Sequence, residues 1–562
     1  MAGEPPVEIP RKAWVGLAAM TLSASLILVD QTAVPLATPE AVDDLNGSLD
    51  QGAWILTANI LPLAAFMVLG GRLGDLLGLR KVFLTGAVIF AGATAAAAGA
   101  QDMTMMLIAR AVQGCGAALM MPNGVAIVSA TFPAERKGTA LGVLAGGSAA
   151  FAAAGPVLGG LLTSIDWRLV FLVNVPLALL CIALTMRSVP DLKPVVRGKV
   201  RDIDYLGVVL LAVASVGLVY GLAQLQQAGL DETGTLVPLL VAVVGFPLFA
   251  WVELRADDPL LDLRLFRHLN FLASNLSQML AGAIELGLGY LLPFFLLLVV
   301  GVSPAVAGLA LIPGTIPIIL AGPLAGRIFD SRGGRLPMAV GFGCLVLSGL
   351  FLAILASDAS VVALIPGLVL QGIGLGIVLT VNDPVGLNAV PEKDQGTAAG
   401  MINTSEQLGG AIGITVLLMI ELNVYFGDLD DRLAAKGISP TPEQAAKVKD
   451  FIIGAEQTGI NQADESQIVR NVIDDLIQGH ITGFEAAFFA SAGIALLGVL
   501  MSIFLVRKDD RFESGPIFSR RSRWVLASSG RSPGLTRHPP DVPGERRLPE
   551  GSPEPRAPGS DP

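Results

Sequence analysis

The chain has 562 residues, of which 53% are hydrophobic and 15% charged, and its mean hydropathy is +0.66. That balance exceeds what a soluble domain of this length carries, so lipid is the expected solvent for most of it. A net charge of -10 leaves no basic footprint for nucleic acid, and Cys115, Cys181 and Cys344 lie in separate apolar runs, which argues against a disulfide framework or zinc site and for packing roles.

Runs of about twenty apolar residues, enough to cross a bilayer as helix, recur about fourteen times along the chain. The first, 14–34, follows Arg11 and Lys12 and is too long for a signal-peptide core. Others are expected at 52–71, 82–100, 104–127, 139–162 and 169–187, then 204–224 and 235–252. The last six fall at 271–300, 305–328, 337–356, 360–388, 398–421 and 484–506. One alternate set of loops carries Arg72, Arg80, Lys81, Arg136, Lys137, Arg327 and Arg335, whereas the loops at 39–52, 99–104, 223–235 and 357–360 contain no Lys or Arg. The positive-inside bias puts the first set, and both termini, in the cytoplasm. The outer segment 423–483 contains SQIVRNVIDDLI, spaced as a short amphipathic helix. Beyond Arg507 the composition turns to Pro, Gly, Ser and Arg, as in a disordered tail.

The chain also repeats itself. GRLGDLLGLRK from Gly71 returns as GRIFDSRGGR from Gly326, VQGCG from Val112 as LQGIG from Leu370, and PAERKGTA from Pro133 as PEKDQGTA from Pro391, at offsets of 255 to 258 residues. Two related halves enclosing a substrate site are expected. The organisation is a cytoplasmic segment 1–11, a six-helix half 12–190, a basic loop with two additional helices 191–268, a second six-helix half 269–507 containing the outer loop 423–483, and a tail 508–562.

GRLGDLLGLRK resembles the loop signature of the major facilitator superfamily. The strings LVDQTAVPLATP, ARAVQGCGAA, AGPVLGG and DWRLVFLVNVP resemble its fourteen-span drug:proton antiporter family, and the likeness covers nearly all of 12–507. Leu76, Pro35 and Phe151 depart from it, standing where the family usually has arginine, asparagine and glycine. The resemblance implies an all-α polytopic fold of two six-helix halves plus two central helices. It also implies that Gly155, Pro156, Gly159 and Gly160 form the fifth-span motif of exporters. By composition these small residues and the proline let the helix pack tightly and free a carbonyl, and Gly409, Gly410 and Gly413 fit the same packing role.

Coupled export needs an intramembrane group that binds and releases a proton, which points to Asp30, Glu285 and Glu406. By the helical rise, Asp30 lies roughly 24 Å from the inner end of its span and Arg110 about 9 Å from the outer end of its own, so the two can pair. Glu285 follows Asp30 by the repeat offset of 255, and Glu406 near mid-membrane can attract a cationic substrate. The plainer alternatives are that Asp30 snorkels to the surface and that both glutamates hydrogen-bond between helices or face a wet cavity. Asp383 reads as a helix-end residue, and His268, His480 and His538 receive no role.

Asp75 is expected to accept bonds from helix-terminal amides and to pair with Arg80 or Lys81, with Gly71 and Gly78 permitting close approach and a tight turn; this forms a latch that Asp330, Arg327 and Arg335 repeat. The charges serve equally as topology determinants. The expected function is proton-coupled antiport of small hydrophobic or cationic compounds across the cytoplasmic membrane by a monomer, with substrate, protons and lipid as partners and no cofactor, metal or nucleic acid. There is no GxxxxGK[ST] loop for nucleotide. A proton-coupled symporter and a non-transporting sensor are the competing readings.

Overall fold

A computed structural model describes residues 9–47, 49–133, 136–191, 194, 203–228, 232–256, 259–302, 304–435 and 467–507. Among these residues every regular element is helical, as lipid demands of a chain that must satisfy its own backbone. The first group is α1 (Arg11–Asp44), α2 (Leu49–Leu77), α3 (Leu79–Ala98), α4 (Met103–Thr131), α5 (Lys137–Thr163) and a sixth crossing in two pieces, α6 (Arg168–Leu172) and α7 (Asn174–Ser188). Next come α8 (Tyr205–Ala228) and α9 (Thr233–Glu253). The last group is α10 (Leu269–Phe294), α11 (Pro304–Ala310) and α12 (Ile312–Arg332), α13 (Arg335–Leu355), α14 (Val361–Asn388), α15 (Gln395–Ala435) and α16 (Gln467–Phe504). Thirteen described segments are long and apolar enough to cross a membrane, and the 27-residue α5 stands where the fifth expected crossing falls.

Three expectations need correction. Helix α1 runs through Pro35 and Pro39, and the chain turns only at Leu45, with Asn46 at φ 52°; neighbouring helices can accommodate a proline that would end a helix in water. Helix α15 is 41 residues long and passes well beyond 421. The SQIVRNVIDDLI segment is not a separate short helix, because from Gln467 it is continuous with the last crossing. Residues 436–466 and the tail 508–562 lie outside the described residues.

Large apolar side chains are exposed on the outer faces, such as Val243, Leu320 and Phe504, at 69%, 69% and 73%. Only 22% of an apolar 18-residue stretch of α9 is buried. Lipid takes the place of protein on those faces. Inside, one apolar core gathers mostly residues between Ala13 and Val189, and another residues between Ala273 and Val506. The two groups meet where α2 packs on α15 and α5 on α12, with α8 lying against both α2 and α15.

Candidate functional site

At the end of the bundle carrying the basic loops, two carboxylates cap helices from the opposite group. Asp75, near the end of α2 and 5% exposed, accepts from Gly396 N at 2.9 Å, Thr397 N at 2.8 Å and Thr397 Oγ1 at 2.8 Å. Asp330, near the end of α12, accepts from Gly138 N at 2.9 Å, Thr139 N at 3.1 Å and Thr139 Oγ1 at 2.8 Å. The donors are first-turn amides of α15 and α5, which lack partners inside their own helices and carry the positive end of the helix dipole. Backbones come this close because glycines face each other. A methyl on Gly71 would strike the Gly396 carbonyl, and one on Gly138 would lie 2.8 Å from Gly326 O. Gly78 and Gly333, 255 residues apart, take φ 102° and 81° at the adjoining turns, a conformation that favours glycine.

The basic residues expected to complete this latch do something else. Arg80 donates to Met186 O at 2.7 Å, which leaves it to α7 rather than Asp75. Lys81, Arg327 and Arg335 are exposed, and among the described residues none forms an ion pair with either aspartate. Asp330 instead feels Arg136, and Arg72 reaches Asp394 at 3.8 Å. Amides outcompete flexible cations here because they are already desolvated and aimed at the carboxylate.

Deeper in the first group, Arg110 and Asp30 are each 1% exposed, and Arg110 Nη1 donates to Asp30 Oδ2 at 2.6 Å. Gln113 closes the triangle: its Nε2 donates to Asp30 Oδ1 at 3.0 Å and its Oε1 accepts from Arg110 at 2.6 Å. Arg110 Nε also donates to Ile55 O at 2.8 Å. Buried charge is tolerated because it is paired and hydrogen-bonded on several sides. Helix α5 holds the other face of α1. Pro156 has no N–H to offer the Ala152 carbonyl, and Thr32 Oγ1 donates to that carbonyl at 3.0 Å. Gly159 lets Ala33 approach, whereas nothing lies within 4 Å of a methyl on Gly160, which is exposed. Gly160 therefore takes no part in the tight packing expected of it, and the side chain of Pro156 is outside the described residues.

The second group holds a different arrangement. Gln278 donates to Glu406 Oε2 and accepts from Asn382 Nδ2 at 2.5 Å, which ties α10, α15 and α14 together. Glu285 and Asp383 both interact electrostatically with Glu406. Asp383 is thus a member of an acidic group and not the helix-end residue expected. Glu285 Oε2 and Asn382 Oδ1 are buried with no hydrogen-bond partner. Among the described residues no lysine, arginine or histidine makes an ion pair with Glu285, Asp383 or Glu406. The repeat explains the contrast: Glu285 matches Asp30, but the VQGCG offset of 258 puts Leu368 where the first half has Arg110. Glycines again set the spacing, with Gly409 against Met279 and Gly413 against Ala283.

Gln113, Gln278 and Asn382 escaped the sequence reading, although a long amide side chain inside an apolar run was the available signal. His480 did too. It is 7% exposed, hydrogen-bonds to Glu421 at 3.0 Å and stacks on Tyr425 with ring centroids 4.0 Å apart, fastening α16 to α15 far from the basic end.

A helical bundle with apolar outer faces and buried carboxylates, only some of them paired, inside each of two helix groups is the architecture of a polytopic membrane transporter. The Major Facilitator Superfamily family model matches residues 20–414, and the chain belongs to that family. It is 29% identical over 507 residues to the tetracenomycin C resistance and export protein of Streptomyces glaucescens, covering 90% of this chain and 93% of the relative. It is 32% identical over 403 residues to the multidrug resistance protein Stp of Mycobacterium tuberculosis, covering 71% and 74%. The structure of the human organic anion transporter MFSD10 shares the fold, with a TM-score of 0.57 and 15% identity over 89% of this chain and 100% of that one. The protein is a multi-pass membrane transporter and not an enzyme.

Proposed function

We propose that this transporter is a proton-coupled antiporter that exports small hydrophobic or cationic compounds across the cytoplasmic membrane by alternating access, with both termini cytoplasmic. The observation that carries the reading is the charge asymmetry between matched positions. Asp30 is neutralised by Arg110 and accepts a further hydrogen bond from Gln113, while Glu285, Asp383 and Glu406 have no protein cation at ion-pairing distance among the described residues. A cationic substrate supplies the missing charge in the second group. Protonation of Asp30 removes its charge and weakens the bonds to Arg110 and Gln113, so α1 and α4 change their packing when a proton arrives.

The halves 12–190 and 269–507 rock against one another around these groups. The caps of Asp75 and Asp330 hold the basic end shut, and releasing both opens it to the cytoplasm. The resistance and export functions named for two relatives support the outward direction.

The test is movement of a fluorescent lipophilic cation in everted vesicles under an imposed pH gradient, with wild type beside Asp30→Asn. Gradient-driven accumulation that disappears in the variant supports the reading. Absence of gradient-dependent movement for several cations in wild type would sink it.

A further inference from the structure

Away from the transport site, two carboxylates lie near one another in the helix pair that has no counterpart in the repeat. Asp204 precedes α8, and its Oδ1 accepts from Gly207 N at 2.9 Å, which caps the helix. Glu253, the last residue of α9, is 3% exposed, and its Oε2 accepts from Leu261 N at 3.3 Å. Each acid thereby uses one oxygen. The remaining two, Asp204 Oδ2 and Glu253 Oε1, are buried without a hydrogen-bond partner, and both lie beside Gly207. A methyl built on Gly207 would strike Glu253 Oε1 and lie 3.0 Å from Asp204 Oδ2.

Two ionised carboxylates in such a place repel each other and leave two buried acceptors unsatisfied. One proton removes the repulsion between the two charges and turns one of the two unsatisfied acceptors into a donor. We infer that Asp204 and Glu253 share a single proton, and that this proton docks the α8–α9 pair at the basic end of the bundle.

The surroundings make the docking sensitive to that proton. The loop that Glu253 holds buries Leu260 and Leu261 among Val68, Leu76, Ile203 and Phe249, and α8 rests on α2 and α15, the two helices joined by Asp75. Arg72 of α2 acts on Glu253 but is also engaged with Asp394, 3.8 Å away, which in turn meets Lys393 at 3.8 Å and feels Asp262. With one proton the pair carries one negative charge beside Arg72. Loss of the proton doubles that charge next to an arginine already shared, so alkaline conditions on this side loosen α8–α9 from the α2–α15 seam.

Glu253→Gln tests this in the full chain reconstituted in nanodiscs, since a carboxamide is neutral at every pH and offers N–H donors where the protonated acid offers an O–H. The infrared difference between wild type and variant at neutral pH is expected to show loss of a protonated-carboxyl C=O band. Loss of ionised-carboxylate bands alone overturns the proposal. Hydrogen exchange in 203–211 and 249–256, corrected for the intrinsic rate, is expected to rise several-fold from neutral to alkaline pH in wild type and to stay flat in Glu253→Gln; an equal response in both also overturns it. Should that variant fail to fold, Asp204→Asn, which keeps a helix-capping side chain, gives the same readouts. Neither measurement depends on transport.

Discussion

Asp75 and Asp330 do the same work 255 residues apart, each reaching from the end of one helix into the first turn of a helix in the opposite group and taking two amides and a threonine hydroxyl. The partners are exchanged between repeats. The GRLGD string binds the second GTA segment, and the GRIFD string binds the first. The two interfaces are therefore related by the same approximate symmetry as the sequence.

Replacing Asp75 by alanine removes three such bonds, each worth about 1.5–3 kcal/mol when a charge takes part. Because amides left at the surface of an opened end regain water, the net bias toward the open state is expected to be about tenfold or more, roughly 1.4 kcal/mol. Spin labels at the exposed Leu77 and Leu336 check this by distance measurement: the population with longer separation rises in Asp75→Ala, and an unchanged distribution refutes the capping role.

Gly326→Ala puts a methyl into the Gly138 carbonyl. Overpacking of this kind costs about 1–3 kcal/mol, and here it is confined to the closed state, so the same labels should move apart. Gly160→Ala is the matched control within α5. With open space around it, it should alter melting in detergent by less than about 0.5 kcal/mol equivalent.

Asp30→Asn leaves Arg110, 1% exposed, without its carboxylate. Breaking one partner of a buried pair typically costs about 3–5 kcal/mol. The variant should melt lower than wild type, and adding Arg110→Gln should recover part of the loss. Thermal unfolding of the purified single and double variants decides it, and additive losses would argue against a direct pair.

Thr32→Val keeps shape but withdraws the donor from the Ala152 carbonyl, which Pro156 cannot satisfy. An unsatisfied buried carbonyl costs about 1–3 kcal/mol. Thr32→Ser should remain near wild type in melting temperature while Thr32→Val falls; equal behaviour of the two would place the stabilisation in the methyl group instead.

Much of the fold was legible in the chain. Apolar run length locates the crossings, and the repeat alone pairs Asp75 with Asp330 and Asp30 with Glu285. The errors fell where a partner lies far away in sequence. Arg80 sits five residues from Asp75 and was the obvious cation, yet Met186 holds it. Asp383 looked like a helix-end residue because helix position was all that could be counted, and its proximity to Glu406 depends on how α14 and α15 are rotated. His480 falls in the expected outer segment 423–483, because hydropathy does not show that the last helix begins as early as Gln467.

The sequence by itself determined that lipid surrounds the chain, where it crosses, and which positions of the two repeats correspond, since these follow from local composition and self-similarity. The tertiary structure alone decided which side chains meet. Gln113 closing on Asp30, Gln278 on Glu406 and the oxygens of Asp204 and Glu253 both coming beside Gly207 depend on helix rotation and on approach distance. Glycines across the interface set the approach, and no single run of sequence contains both sides of such a contact.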